Sequence, residues 1–208
     1  ALNNDTKGSR SVAIGHSSLA NQNFTSATIS NNVAVGFFAG EDITTGVCNT
    51  IIGNQAGEKT TTGSNNTAIG TNALCSNTTG AANTAVGRES LRSVTDHDNN
   101  TALGLNSGYS NTGANNTYLG RSAALCGTSG DDNVAVGHNS MCRLTTGAEN
   151  TAVGKNSLLL NTTGSGNVAI GQNAASKQTD AGNNVAVGRD SLLCNVNGGN
   201  NTAVGDLA

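Results

Sequence analysis

Apolar and polar residues alternate in short bursts along this chain, and the bursts recur at a fixed interval. In Thr151-Ala152-Val153 the side chains alternate with period two, the pattern of a strand, and five residues closed by Gly154 are too few for a helix. The closing glycine returns as Gly15, Gly36, Gly53, Gly70, Gly87, Gly104, Gly120, Gly137, Gly154, Gly171, Gly188 and Gly205. Nine of the eleven intervals are 17 residues, one is 16 and the first is 21. After the glycine comes a second short segment, Lys155 to Leu160, and then the turn Asn161-Thr162-Thr163-Gly164. A unit this small cannot bury its own apolar face, so the period predicts copies stacked about 4.8 Å apart, each strand pairing with its copy in the next coil. The expected fold is all-β, a parallel β-solenoid of about twelve 17-residue coils, a rod on the order of 55 Å long.

The stacking names its own ladders. Asparagine opens the motif in every unit but the first, where Ser11 stands; Asn66, Asn83, Asn100, Asn133 and Asn150 are examples. Amides in register can donate and accept along the rod and satisfy turn backbone groups. The repeat glycines, Gly70, Gly87, Gly137 and Gly154 among them, permit a positive φ or a close backbone approach. A threonine ladder runs through the turns: Thr44, Thr61, Thr78, Thr95, Thr112, Thr128, Thr145, Thr162 and Thr179. With Val153 and its aliphatic counterparts expected inside the coil, Ala68, Ala85, Ala102, Ala135, Ala152 and Ala169 face outward as a flat apolar strip. Such strips meet partners, and a closed cyclic assembly hides them at its axis. These alanines are the candidate interface between chains.

Residues 1–10 lack the repeat and read as a lead-in or frayed end, ahead of a repeat domain over 11–208. The first connection is four residues longer than standard, and its extra segment, Gln22 to Ser30 with Phe24, is expected to be a surface loop.

At this point the residues resemble a known family. The run Ser11-Val12-Ala13-Ile14-Gly15-His16-Ser17-Ser18-Leu19-Ala20 and the run Asn167-Val168-Ala169-Ile170-Gly171-Gln172-Asn173-Ala174 resemble the head repeats of trimeric autotransporter adhesins of the YadA type. The longer form, Asn150 to Gly164, is similar to repeat arrays in tail-fibre and fibre-like proteins of phages and large viruses. The resemblance covers about Ser11 to Gly205, and the 17-residue period is longer than is typical of adhesin heads. It implies a left-handed parallel β-roll in a side-by-side homotrimer, extracellular on a virion or cell surface, that attaches to a host receptor of glycan or protein nature.

Composition narrows the chemistry. Charged residues make up 11%, aromatics 2%, and there is no proline. The unfailing aliphatic residue before each glycine speaks against disorder. A net charge of −3 with ten scattered Lys and Arg offers no patch for phosphates, so nucleic acid is not an expected partner. No apolar run approaches the ~20 residues of a membrane span, so no membrane insertion is expected. The five cysteines show no metal-ligand spacing and read as small hydrophobes. His16 and His138 sit seven coils apart, roughly 33 Å, and cannot share a metal. Asp96-His97-Asp98 reads as a solvated turn. With no nucleophile elbow or recurrent carboxylate pair, the sequence assigns no catalytic residue, cofactor or metal. Two functions are carried forward: a structural and adhesive fibre protein, and a monomeric ice-binding solenoid suggested by the aligned Thr50, Thr67, Thr84, Thr101 and Thr117. For the first, candidate surface contacts are Phe24, Phe37, Phe38, Arg121 and His138.

Overall fold

The computed structural model describes residues 1–127 and 129–208; Thr128 of the turn ladder lies outside them. Every regular element among these residues is a β-strand, and the chain is a parallel solenoid of about twelve coils. It divides into two compact units, Ala1–Asn100 and Thr101–Ala208. The first holds β1 (Gly8–Ser9), β2 (Val12–Ile14), β3 (Thr28–Ile29), β4 (Val33–Val35), β5 (Thr50–Ile52), β6 (Thr67–Ile69) and β7 (Thr84–Val86). The second holds β8 (Thr101–Leu103), β9 (Thr117–Leu119), β10 (Val134–Val136), β11 (Thr151–Val153), β12 (Val168–Ile170), β13 (Val185–Val187) and β14 (Thr202–Val204).

Within each unit like residues pair with like. In the first, β2, β4, β5, β6 and β7 join in that order, all parallel, as in Thr67 opposite Thr84 and Ala68 opposite Ala85. In the second, β8 to β14 do the same, as in Ala152 opposite Ala169. Three-residue strands survive because those inside a stack are held on both sides by backbone bonds of the same kind: for β11, Thr151 N donates to Asn167 O at 2.8 Å on one side and Gly154 N donates to Val136 O at 2.7 Å on the other.

The coil closes through left-handed backbone at fixed places. The second and fourth residues after the repeat glycines from Gly15 to Gly188 have positive φ, as in Asn156 (59°) and Leu158 (47°), and so does the residue before each ladder asparagine, as in Glu149 (58°). The repeat glycine itself is extreme: Gly137 has φ 129°, and a Cβ there would lie 2.6 Å from Gly154 O of the next coil. No L side chain fits, so adjacent backbones stack directly at this corner.

The interior is narrow and partly polar. The ladder asparagines from Asn32 to Asn184 are buried, and along each unit the Oδ1 of one accepts the backbone N–H of the next, as from Asn83 N to Asn66 at 2.9 Å and Asn150 N to Asn133 at 3.0 Å. Their amide nitrogens cross to the turn, Asn150 Nδ2 reaching Gly164 O at 2.9 Å. Turn threonines bond along the stack, Thr61 Oγ1 to Thr78 O at 3.0 Å and Thr145 Oγ1 to Thr162 O at 2.9 Å. A buried amide satisfied at both ends avoids a desolvation penalty of about 1–3 kcal/mol.

The N-terminal segment decides one open reading and corrects one expectation. Of the lead-in and the frayed end, residues 1–10 form the lead-in: Gly8 and Ser9 pair in parallel with Thr28 and Ile29, and Leu2 N donates to Ser18 O at 3.1 Å. The insertion is not a free surface loop, because it supplies β3 and folds Phe24 inward to 5% exposure. A Cβ on Gly8 would be 2.9 Å from the Phe24 ring, so glycine is what lets the lead-in lie across it. Asp5 ties the two together, accepting from Gly8 N, Lys7 N and the Gln22 amide. Partial burial works against this carboxylate, yet donors from Gln22 and from backbone N–H groups hold its pKa below the usual value. Together these segments cover the end of the first coil, the role of a capping repeat.

Candidate functional site: the outward face of the parallel sheet

In a three-residue strand the middle side chain and its two neighbours lie on opposite faces. The face that points inward is the alanine face. Ala68, Ala85, Ala102, Ala135, Ala152 and Ala169 are all fully buried inside the coil, so they are not the outward strip expected of them. The reason is on the opposite wall, where the fourth residue after the repeat glycine, such as Leu74, Leu91, Met141 or Leu158, is also fully buried and fills the narrow interior. Little more than a methyl group fits between. Val153 is correspondingly corrected to the outer face, where it is half-buried.

The outward face therefore carries two rows per unit. The third strand position gives Ile14, Val35, Ile52, Ile69 and Val86 in the first unit and Leu103, Leu119, Val136, Val153, Ile170, Val187 and Val204 in the second. Several are well exposed, with Ile14 at 59% and Leu103 at 51%. The first position adds threonine or valine beside them, half-buried or exposed, as in Thr50, Thr67 and Thr84 and in Thr101, Thr117 and Val134. Aliphatic side chains aligned on a sheet of directly stacked coils form a continuous apolar surface within each unit, larger than isolated exposed residues would make.

The remaining candidate contacts scatter. Phe24, buried in the N-terminal cap, is removed from the surface set. Phe37 is exposed and Phe38 half-buried, and both lie against His16 of the preceding coil, with ring centroids 5.4 and 5.5 Å away and the two phenylalanine rings 4.0 Å apart. Arg121 and His138 follow their glycines on successive coils of the second unit, both exposed, with Asn139 N donating to Arg121 O at 3.2 Å. The structure thus brings Phe37 and Phe38 together, and separately Arg121 and His138. It does not gather all of them into one site.

Sequence reasoning missed the two large inner residues. Ile51 and Tyr118 occupy alanine positions and are 1% exposed. A Cβ on Gly57 would come 2.7 Å from Ile51 Cδ1, and one on Gly40 3.2 Å from it. Gly127 lies beside Tyr118, whose hydroxyl donates to Asn111 Oδ1 at 3.2 Å. The signal was present: glycine stands at Gly40 and Gly57 where Leu19, Leu74, Leu91, Leu158 and Leu192 stand in other coils. Burial, and secondarily the charge of Asp131, push the Tyr118 hydroxyl well above the usual tyrosine pKa.

Among the described residues no group of three or more His, Cys, Asp or Glu is placed to hold a metal, and no helix is long and apolar enough to cross a membrane. The chain matches no protein-family model, no curated protein and no solved structure.

Proposed function

We propose that this protein is a structural and adhesive fibre element, a rigid left-handed β-roll that associates side by side in threes and serves as the shaft or head of a viral or cell-surface fibre. The observation that carries this reading is the outward row of Val, Ile and Leu on the parallel sheet, exemplified by Ile52 and Ile170 at 38% and 41% exposure. Burying such a row against two others is worth about 25 cal/mol per Å² of apolar area, and it recurs once per coil. Repetition gives attachment strength through many weak contacts rather than through a deep pocket. The reading places the protein outside the cell, without catalysis, and facing a host surface receptor.

The first test is the solution mass of the 20.6 kDa chain by light scattering. A mass near three chains is expected, and it falls to one chain when Ile52→Asp and Ile170→Asp are introduced together. A wild-type monomer overturns the reading.

A second reading, a monomeric ice-binding solenoid, is favoured by one specific observation. Thr50, Thr67 and Thr84 in one unit, and Thr101 and Thr117 in the other, share the outward face in paired register. A thermal-hysteresis assay decides it: activity in the monomer would establish this function in place of the fibre, and its absence removes it.

A further inference from the structure

Cys126 and Cys142 belong to successive coils of the second unit, and their side chains lie outside its core. Cys126 N donates to Cys142 O at 3.0 Å. In this parallel stack a residue whose N–H bonds a carbonyl lies opposite the residue after that carbonyl. Cys126 therefore stacks on Arg143 and is the diagonal neighbour of Cys142, with Cα atoms on the order of 5–7 Å apart, which reaches the separation a disulfide spans. Cys126 is the sixth residue after Gly120 and Cys142 the fifth after Gly137, so their repeat positions differ by one. Equal repeat positions stack directly, and the offset makes these two diagonal neighbours joined by a backbone bond, because in these turns the sixth N–H bonds the fifth carbonyl of the next coil; Lys59 N to Cys75 O at 3.2 Å and Arg143 N to Leu159 O at 3.1 Å are the same bond. Neither side chain enters the core: Cys126 is exposed and Cys142 half-buried.

Their surroundings make the pairing consequential. In the second unit the seventh residue after the glycine usually carries an amide that clamps its own turn. Asn111 Nδ2 reaches Gly113 O at 2.9 Å, Asn161 Nδ2 reaches Gly164 O at 2.9 Å, Gln178 Nε2 reaches Ala181 O at 2.8 Å, and Asn195 Nδ2 reaches Gly198 O at 2.7 Å. The two coils without such an amide have Gly127 and Leu144 at this position. Those are the residues next to Cys126 and two beyond Cys142.

We propose that Cys126 and Cys142 form a reversible disulfide that staples these two coils together where the amide clamp is missing. The oxidant is a small disulfide of the glutathione class. The Cys126 thiolate attacks one glutathione sulfur, the glutathione S–S bond breaks, and one glutathione thiolate leaves. The Cys142 thiolate then attacks Cys126 Sγ in the mixed disulfide, forming the protein S–S bond and expelling the second glutathione. The two thiol protons of the protein end on the two reduced glutathiones, and the two cysteines are oxidised by two electrons. The order follows from the sites. Burial, and after it the neighbouring Cys126, raise the Cys142 thiol pKa, so the more exposed Cys126 reacts first and Cys142 resolves. Closing the intervening loop restricts the unfolded chain, which stabilises the folded coils.

The staple does not depend on how the chains assemble, so its failure leaves the fibre reading intact. The folded full-length chain is equilibrated with excess oxidised glutathione, quenched in acid and digested with trypsin. Arg121 and Arg143 are the nearest cleavage sites, so both cysteines fall in one peptide, residues 122–143. The expected peptide is lighter than its reduced form by about 2 Da and blocked to alkylation, and in Cys142→Ser the same treatment leaves Cys126 as a glutathione adduct. The oxidised chain melts about 5 °C or more above the reduced chain, and Cys126→Ser and Cys142→Ser both lose that shift. Two free thiols or two glutathione adducts in residues 122–143 of the wild-type chain overturn the proposal. An oxidised chain that melts with the reduced one overturns the role as a staple.

Discussion

The inward and outward faces of the same three-residue strand follow different rules. Inside, substitution is matched by compensation: alanine gives way to Ile51 only where Gly40 and Gly57 clear the opposite wall, and to Tyr118 beside Gly127. Outside, Ile, Val and Leu replace one another from coil to coil, and Thr alternates with Val, with no partner change across the coil. A fixed interior volume explains the first behaviour. The second is that of a surface kept aliphatic, with β-branched residues commonest, but not shaped to a particular neighbour in its own chain.

The contrast can be broken most severely at β5, where one inward and one outward isoleucine are adjacent. Ile51→Ala opens a cavity bounded by Gly40 and Gly57, which carry no side chain to refill it, and is expected to cost about 3 kcal/mol in chemical denaturation. Ile52→Ala, on a side chain 38% exposed, costs under about 1 kcal/mol in the isolated chain and acts instead on the solution mass. Equal losses at the two positions would refute the assignment of faces.

The same strand logic applies to enlargement. Ala152→Leu forces three carbons into a space facing the fully buried Leu158 and is expected to cost about 2 kcal/mol by overpacking. Its neighbour Val153→Leu stays within about 0.5 kcal/mol, since the outer face already accepts leucine at Leu103 and Leu119. Denaturant midpoints of the two variants against wild type give the comparison directly, and an Ala152→Leu chain as stable as wild type would mean the coil interior is wider than its glycines indicate.

Much of this architecture could be read in the residues. The glycine period, the strand triplet and the asparagine ladder each follow from a local rule, because a ladder bond joins a residue to its own copy and the period alone supplies the partner. Which face turns inward did not follow. Alternation puts Ala152 opposite Thr151 and Val153 without saying which side is enclosed, and the usual preference for bulk in the core points the wrong way when the facing wall already supplies Leu158. The decisive information lay in covariation across the coil, Ile51 with Gly40 and Gly57, which a reading of one strand at a time does not register. Phe24 was illegible for a related reason. It is buried by the non-repeating residues 1–10, which have no copy elsewhere in the chain to reveal their partner, whereas the exposed Phe37 sits at a repeat position and was legible as surface.

The finest test of the inner face uses pH, because the inner row of the strands is otherwise alanine and Ile51, and Tyr118 is its ionisable exception. Its hydroxyl is buried with its pKa raised above the ordinary value of 10, so the folded state holds it neutral when an unfolded chain would let it ionise. The sign follows by linkage. Below pH 10 neither state loses this proton and the stability from the buried hydroxyl is fully present; above pH 10 only the unfolded state releases it, so stability falls as pH rises, by up to about 1.4 kcal/mol per pH unit. Other surface groups titrate in the same range, and the comparison of wild type with Tyr118→Phe isolates this one. The variant loses the bond to Asn111 Oδ1, about 1 kcal/mol, at every pH up to 10. Between pH 10 and 11 its denaturation midpoint should then change less than the wild-type midpoint, and the two stabilities should converge. Parallel pH profiles would mean that Tyr118 reaches solvent in the native coil, and the inner row would lose its largest member.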